Sequence, residues 1–392
     1  MTKVSSHRGF LVLAASTPWV YALAQSLAAS GPVTAVRFYD WANYRRIKPQ
    51  WPETRSDVHR VSVCMPQGYA GSLEPVFRPL MRRIIDRERV RLRRITGAEP
   101  VIVCPYPYLA PWVRHIRESA VVYYNLDDYV LYDPPRATRI TALEDEFLAR
   151  ADLTLCLSAH QVATLQARRP DRAAHIAHFP LGVVEDFLNP APETPPLPDA
   201  VGYVGNLGDR VDWAFVAAVA ERLSATRFHI VGSLGQNGGA TQWETARRRA
   251  LALPNVVYEG EVPQSQVREH YWRYAVNWMP YDPLHPFNIA ACPTKIMDAL
   301  ASGRPFLSTD VPEVRLYPDR IGIVRTPDEA AQALQILLRE GSSSAREQVA
   351  YASGHTWPHR AARLHELLEN ITSIGSSRMD MAASHLALRE QT

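Results

Sequence analysis

The chain has 392 residues, of which 46% are hydrophobic and 21% charged, with a formal net charge of +3. This is the balance of a globular chain long enough for two or three domains, each with its own core. The charge is too small to mark a nucleic-acid binder by itself, and no nucleic-acid partner is expected.

Four cysteines, Cys64, Cys104, Cys156 and Cys292, stand far apart without a C-x-x-C pair. Cys104 and Cys156 end or sit in apolar runs, so buried free thiols in a reducing cytoplasm are expected rather than a disulfide framework. The apolar run over 10–15 is too short for a signal peptide's core or a membrane span, so it reads as a first strand.

In chain order, short apolar runs predict strands over 9–15, 33–38, 58–63, 101–104, 120–124, 153–157 and 176–178. Helical periodicity predicts helices over 17–29, 74–95, 108–117, 138–151 and 159–168, and residues 40–57 read as irregular. A proline-rich stretch over 189–200 cannot form a helix or a central strand, and is expected to be a semi-rigid linker.

The alternation then resumes. Strands are expected over 201–204, 228–231, 256–259, 276–281, from Pro305, and over 321–324. Helices are expected over 212–223, 243–252, 264–274, 328–339 and 357–371. The fold class is therefore α/β, with two doubly wound, Rossmann-like domains facing across a cleft. The domains are expected at 1–188 and 201–356, followed by a C-terminal helix over 357–371 and a polar tail over 372–392.

Residues 292–309 (CPTKIMDALASGRPFLST) read as loop, short helix, tight turn and strand. Pro293 suits the first helical position, and Gly303 suits the stop. Lys295 and Asp298 lie three apart and share a helix face near its positive N-terminal end, which suits a phosphate. The same residues also fit a capped surface helix with a solvated Lys–Asp pair. Glycine-bearing loops over 205–210 and 232–239 follow predicted strands and allow close backbone approach. Neither matches a G-x-G-x-x-G or P-loop pattern, which disfavours hydride transfer and P-loop ATPase chemistry.

The ordered motifs VGYVGNLGDRVDW, RFHIVGS, LPNVVYEGEVP, WMPYDP and CPTKIMDALASGRPFLSTDVPEV resemble the donor domain of GT-B fold glycosyltransferases. The likeness is to bacterial enzymes of teichuronic-acid and exopolysaccharide synthesis, and runs from about Val201 to the last helix. It implies a nucleotide-sugar donor, UDP-linked, serving as co-substrate with no further cofactor. By the resemblance Lys295 meets the diphosphate, Asp298 the ribose hydroxyls and Tyr281 the nucleotide, with Thr294 also in the donor site. Gly205 and Asn206 face the phosphates or the sugar, with Arg210 as a basic substitute. Relatives often carry two glutamates separated by seven residues; here Asp298 takes the second place and Ala290 the first, so one carboxylate is missing.

The first domain supplies the acceptor side by the same resemblance. Its segment YYNLDDYVLY (residues 123–132) offers Asp127 and Asp128, with Asp128 the preferred general base for an acceptor hydroxyl. Alternatively both aspartates cap the following turn. No required metal is expected, because adjacent aspartates are not a D-x-D motif and no cluster has ligand spacing.

Residues 78–94 (RPLMRRIIDRERVRLRR) carry eight arginines against two acidic residues. This amphipathic stretch suits either an anionic membrane surface or an ordinary solvated face. The expected activity is transfer of a sugar to a hydroxyl of a glycan or lipid-linked glycan in cell-surface polysaccharide synthesis, in the cytoplasm or at the inner membrane face. The alternatives are a nucleotide-sugar 2-epimerase of the same fold and a non-catalytic partner subunit.

Overall fold

A computed structural model describes residues 8–47, 51, 57–188, 195–235, 241–341 and 343–371. The chain forms two compact units. The first runs to Pro180 and resumes at Trp357; the second is Leu181–Thr356.

The first unit holds a seven-stranded, wholly parallel sheet: β1 (Phe10–Val12), β2 (Val33–Asp40), β3 (Val58–Met65), β4 (Val101–Cys104), β5 (Val121–Asn125), β6 (Leu153–Cys156) and β7 (Ile176–His178). Its order is β3-β2-β1-β4-β5-β6-β7. The interior strand β1 is buried at every residue, as expected for a parallel strand covered on both faces. Leu11, Val36, Ile102, Trp112, Tyr123 and Phe147 belong to the core beside it.

Helix Glu74–Thr96 buries Met81, Ile85 and Leu92 along one face. It stops at Gly97, whose left-handed φ of 73° lets its N–H bond Arg93 O at 2.8 Å. Its arginines are largely spent inside the unit. Arg78 pairs with Glu74, Arg89 and Arg93 with Glu99, and Arg82 donates to Pro111 O.

The second unit repeats the plan in β8 (Leu197–Val204), β9 (Arg227–Val231), β10 (Val256–Gly260), β11 (Tyr274–Met279), β12 (Phe306–Thr309) and β13 (Gly322–Val324). The order β10-β9-β8-β11-β12-β13, all parallel, is the 3-2-1-4-5-6 order of a dinucleotide-type sheet. Its crossover point lies between β8 and β11, and this positions the candidate site.

Several expectations are corrected. Residues 197–200 of the expected linker are strand: β8 begins at Leu197, and Pro198 is tolerated because Leu197–Asp199 are exposed at the strand's start. Residues 189–194 lie outside the described residues. The division between units falls at Pro180/Leu181 rather than after 188. The stretch read as irregular contains helix Trp41–Ile47, and the helix expected over 108–117 shrinks to Ala110–Val113 after a 3-10 turn. Three further helices, Tyr129–Tyr132, Pro286–Ala290 and Ala345–Ser353, are not among those expected.

The helix over 357–371 belongs to the first unit. It buries Trp357, Ala361, Leu364 and Leu368, a spacing of one apolar helix face. His365 Nε2 lies 2.8 Å from Ser30 Oγ, and its ring meets Phe10 edge-on at 5.2 Å. The polar tail over 372–392 lies outside the described residues.

Candidate functional site

The site in the second unit starts from two glycines at the carboxyl ends of β8 and β9. Gly205 N–H donates to Val231 O (2.9 Å), Leu207 N–H to Ser233 O (3.1 Å), and Gly232 N–H to Gly260 O (2.8 Å). The strand ends are thereby zipped into one surface. Gly205 has φ +153° and Gly232 +147°. A Cβ on Gly205 would lie 2.2 Å from Lys295 Nζ, and one on Gly232 would lie 1.7 Å from Gly205 O. Only glycine lets these backbones approach each other and Lys295 so closely.

Lys295 lies in helix Thr294–Ser302, which ends at Gly303 with φ 65°. Pro293 is the N-cap rather than the first helical residue, with extended ψ of 126°, and no side chain caps the first turn. The first-turn N–H groups at Thr294 and Lys295 therefore remain for a ligand. Lys295 Nζ stands 5.3 Å from the Tyr203 ring centroid and 5.5 Å from that of Tyr281.

Arg210 brings a second cation, its Cζ 5.4 Å from the same Tyr281 ring. It is held by fully buried Asn288, whose Oδ1 accepts from Arg210 Nε at 2.8 Å. Asn288 Nδ2 in turn donates to Arg210 O (2.8 Å) and Asp282 O (2.9 Å). Among the described residues no carboxylate comes within ion-pair distance of Lys295 or Arg210.

The electrostatics follow from this pairing. Burial pushes the Tyr281 phenol up, but Lys295 and Arg210 outweigh it and the net shift is downward. Burial holds Tyr203 well above the usual phenol range, with Tyr281 adding to the effect. Two cations sharing one aromatic neighbour and an uncapped helix start can stabilise a diphosphate.

Asp298 lies one turn beyond Lys295. It keeps some surface, yet burial pushes its carboxyl up to about 7 against the pull of Lys295. Asn206 is exposed, and Ala290 is buried at the end of helix Pro286–Ala290. The structure thus gathers Gly205, Arg210, Tyr281 and Lys295, with Thr294 and Asp298 on the same helix. Sequence reading missed Tyr203 and Asn288. Asn288 had one usable signal, a polar residue inside the apolar run FNIAA.

In the first unit, Asp128 is the N-cap of the short helix Tyr129–Tyr132, its Oδ1 accepting from Val130 N–H at 3.1 Å. Asp127 Oδ2 accepts from Tyr132 O–H at 2.6 Å, and its Oδ1 from Asp128 N–H at 2.9 Å. The capping alternative therefore holds for Asp128, whereas Asp127 is bonded to the Asp128 N–H and the Tyr132 hydroxyl. A carboxylate has about four acceptor positions, so capping leaves room for a further proton donor.

Beneath them Glu144 accepts from Tyr123 O–H, Asn125 and Arg168. Burial, the largest influence, raises its carboxyl. A separate cavity of about 430 Å³ opens among the loops after β2, β3 and β4, lined by Asp40, Gly68, Tyr69, Tyr108 and Arg139 among others. Sequence reading did not find it, because its residues come from four separate stretches. Among the described residues no group of three or more His, Cys, Asp or Glu is placed to hold a metal, and no helix is long and apolar enough to cross a membrane.

Two parallel sheets of this order in one chain, the second with glycine loops and two cations gathered at its strand ends, are the arrangement of the GT-B fold. Residues 210–366 match the family described as glycosyl transferase-like. A segment of 112 residues, 29% of this chain, is 28% identical to a protein of Bacillus subtilis (strain 168) that carries the name teichuronic acid biosynthesis glycosyltransferase TuaH. The match spans 27% of that relative's length.

Among solved structures, Anabaena Alr3699/HepE in complex with UDP has a similar fold, with TM-score 0.68 and 13% identity over 93% of this chain and 100% of that one. Sucrose-phosphate synthase of Thermosynechococcus elongatus gives TM-score 0.63 and 16% identity over 94% and 100%. At such identities these likenesses bear on fold alone.

Proposed function

We propose that this chain is a metal-independent glycosyltransferase. It moves a sugar from a UDP-linked donor to a hydroxyl of a glycan or lipid-linked glycan in cell-surface polysaccharide synthesis. The observation that carries the reading is the pair Lys295 and Arg210, set about Tyr281 beside an uncapped helix start and the close-packed Gly205 backbone. The family match over 210–366 and the name of the Bacillus subtilis relative support the reaction class. The UDP in the Anabaena structure supports the nucleotide.

In this reading Lys295, Arg210 and the Thr294–Lys295 amides hold the diphosphate and take up the charge that develops as it departs. Asp298 receives the ribose hydroxyls, Tyr281 lies against the nucleotide, and Gly205 and Asn206 border the transferring sugar. Asp128 takes the acceptor proton, with Asp127 holding its loop. The donor is consumed, so no cofactor is required. Lys295→Ala tests the reading by calorimetry with UDP. A loss of affinity of tenfold or more is expected (about 1.4 kcal/mol or more), and unchanged binding would remove the phosphate assignment.

The chain is further proposed to work in the cytoplasm at the inner membrane face. Val76, Leu80, Arg83, Arg87 and Arg94 fall on one exposed line of helix Glu74–Thr96, an apolar and basic stripe suited to anionic lipid. Flotation with phosphatidylglycerol vesicles should recover the chain, and Val76→Asp/Leu80→Asp should abolish recovery. Equal recovery of both proteins would remove this part.

A further inference from the structure

Three consecutive carbonyls of the first glycine loop are each taken by a buried side-chain donor. Tyr203 O–H donates to Asn206 O at 2.8 Å, Arg247 Nη1 to Leu207 O at 2.6 Å, and Trp213 Nε1 to Gly208 O at 2.9 Å. Tyr203 and Trp213 flank the loop in sequence. Arg247 does not: it comes from helix Gln242–Leu251, forty residues further on.

Arg247 also donates from the same Nη1 to Leu234 O in the second glycine loop, at 3.0 Å. Its side chain is nearly closed to solvent, at 3% exposure, with the guanidinium 4.9 Å from the Trp243 ring centroid. Burying a guanidinium is costly unless its donors are well used. Here it joins the two loops that meet Lys295 through Gly205.

We infer that Arg247 is a positioning residue for diphosphate binding, drawing the carbonyls of both glycine loops inward and away from the anion. A carbonyl bonded to an internal donor points its negative end at that donor. Without Arg247, Leu207 O and Leu234 O lose that anchor and can swing toward the pocket, where they would repel a phosphate. The loop would also lose its fixed distance from Lys295. This inference rests on the nucleotide-sugar reading of the same pocket and adds a residue that touches no ligand.

The test is calorimetric titration of the full chain, Arg247→Met and Arg247→Lys with UDP and, separately, with uridine, alongside thermal melts. Arg247→Met should weaken UDP about tenfold and leave uridine unchanged. Arg247→Lys keeps the charge and can reach one carbonyl, so it should recover part of the loss. Equal weakening of UDP and uridine would show a merely structural role and overturn the inference, as would wild-type UDP affinity in a folded Arg247→Met. If Arg247→Met does not melt cooperatively, Arg247→Lys decides: UDP weakened more than uridine supports positioning, and wild-type affinity for both overturns it. Should the wild-type chain bind none of UDP, ADP and GDP, the nucleotide reading falls and takes the inference with it. Wild-type binding with an indifferent Arg247→Met removes the inference alone.

Discussion

Gly205→Ala is a one-carbon change whose consequences divide between fold and binding. The added Cβ would lie 2.2 Å from Lys295 Nζ and 2.5 Å from its Cε. Both atoms are at the far end of a flexible side chain, so Lys295 can swing aside rather than the backbone opening. The fold then bears mainly the cost of an L-residue at φ +153°, about 1–3 kcal/mol. Binding loses the placed cation. A hydrogen bond to a charged group contributes about 1.5–3 kcal/mol, which converts to roughly 10- to 150-fold in Kd. Calorimetry with UDP and a thermal melt read the two effects separately.

Gly232→Ala is the contrast. Its Cβ meets Gly205 O, a backbone atom, at 1.7 Å, and no rotamer relieves that contact. It should lower the melting temperature more than Gly205→Ala does. Wild-type UDP affinity in a folded Gly205→Ala would refute the placement of Lys295 against that backbone as the source of binding.

Two further outcomes are expected. Asp128→Asn should abolish sugar transfer while leaving UDP affinity and the melting temperature near wild type, because asparagine caps a helix as well as aspartate; full activity would put the base elsewhere. Asp298 has a folded-state pKa raised to about 7, above the roughly 3.9 of an unfolded aspartate. The native state therefore binds the extra proton between those values, and stability falls as pH rises from about 4 to about 7, levelling off above. Urea midpoints at pH 5 and pH 8 should differ by more in wild type than in Asp298→Asn, and equal differences would refute the assignment.

Much of the fold was legible because neighbours in sequence decide it. Helix Ala159–Arg168 was read to the residue. Its start is written locally, as a capping box between Ser158 and Gln161. Strands β4 and β7 were equally plain as short apolar runs. The proline-rich stretch misled because composition says nothing of which residues lie exposed at a strand's start. Leu197–Asp199 do so, and Pro198 is harmless there. The helix expected over 108–117 failed for the opposite reason. Trp112, Val113 and Ile116 are buried and mimic a helical period, but the chain leaves the helix after Val113.

In the candidate site, Lys295 and the glycine loops were visible as types at plausible places. Arg210 was legible as a basic residue, but its anchoring by Asn288, seventy-eight residues away, was not. Nor was Arg247, one of three consecutive arginines in the sequence. Partnerships of this kind are set by the order of strands in the sheet, which no local pattern records.

The second unit begins and ends beside itself: Val183 pairs with Thr356 in a parallel bridge, and its N–H bonds His355 O at 2.9 Å. It is in effect an insertion of 176 residues into the first unit. This has a consequence for biosynthesis. Phe10 and Ser30 of the first unit meet His365 of the last helix, which buries Leu364 and Leu368 and leaves the ribosome only after the whole insertion. The nascent first unit must therefore wait, partly uncovered, while the second folds. Loss of the helix over 357–371 would strand it in that aggregation-prone state even with every residue of the candidate site in place.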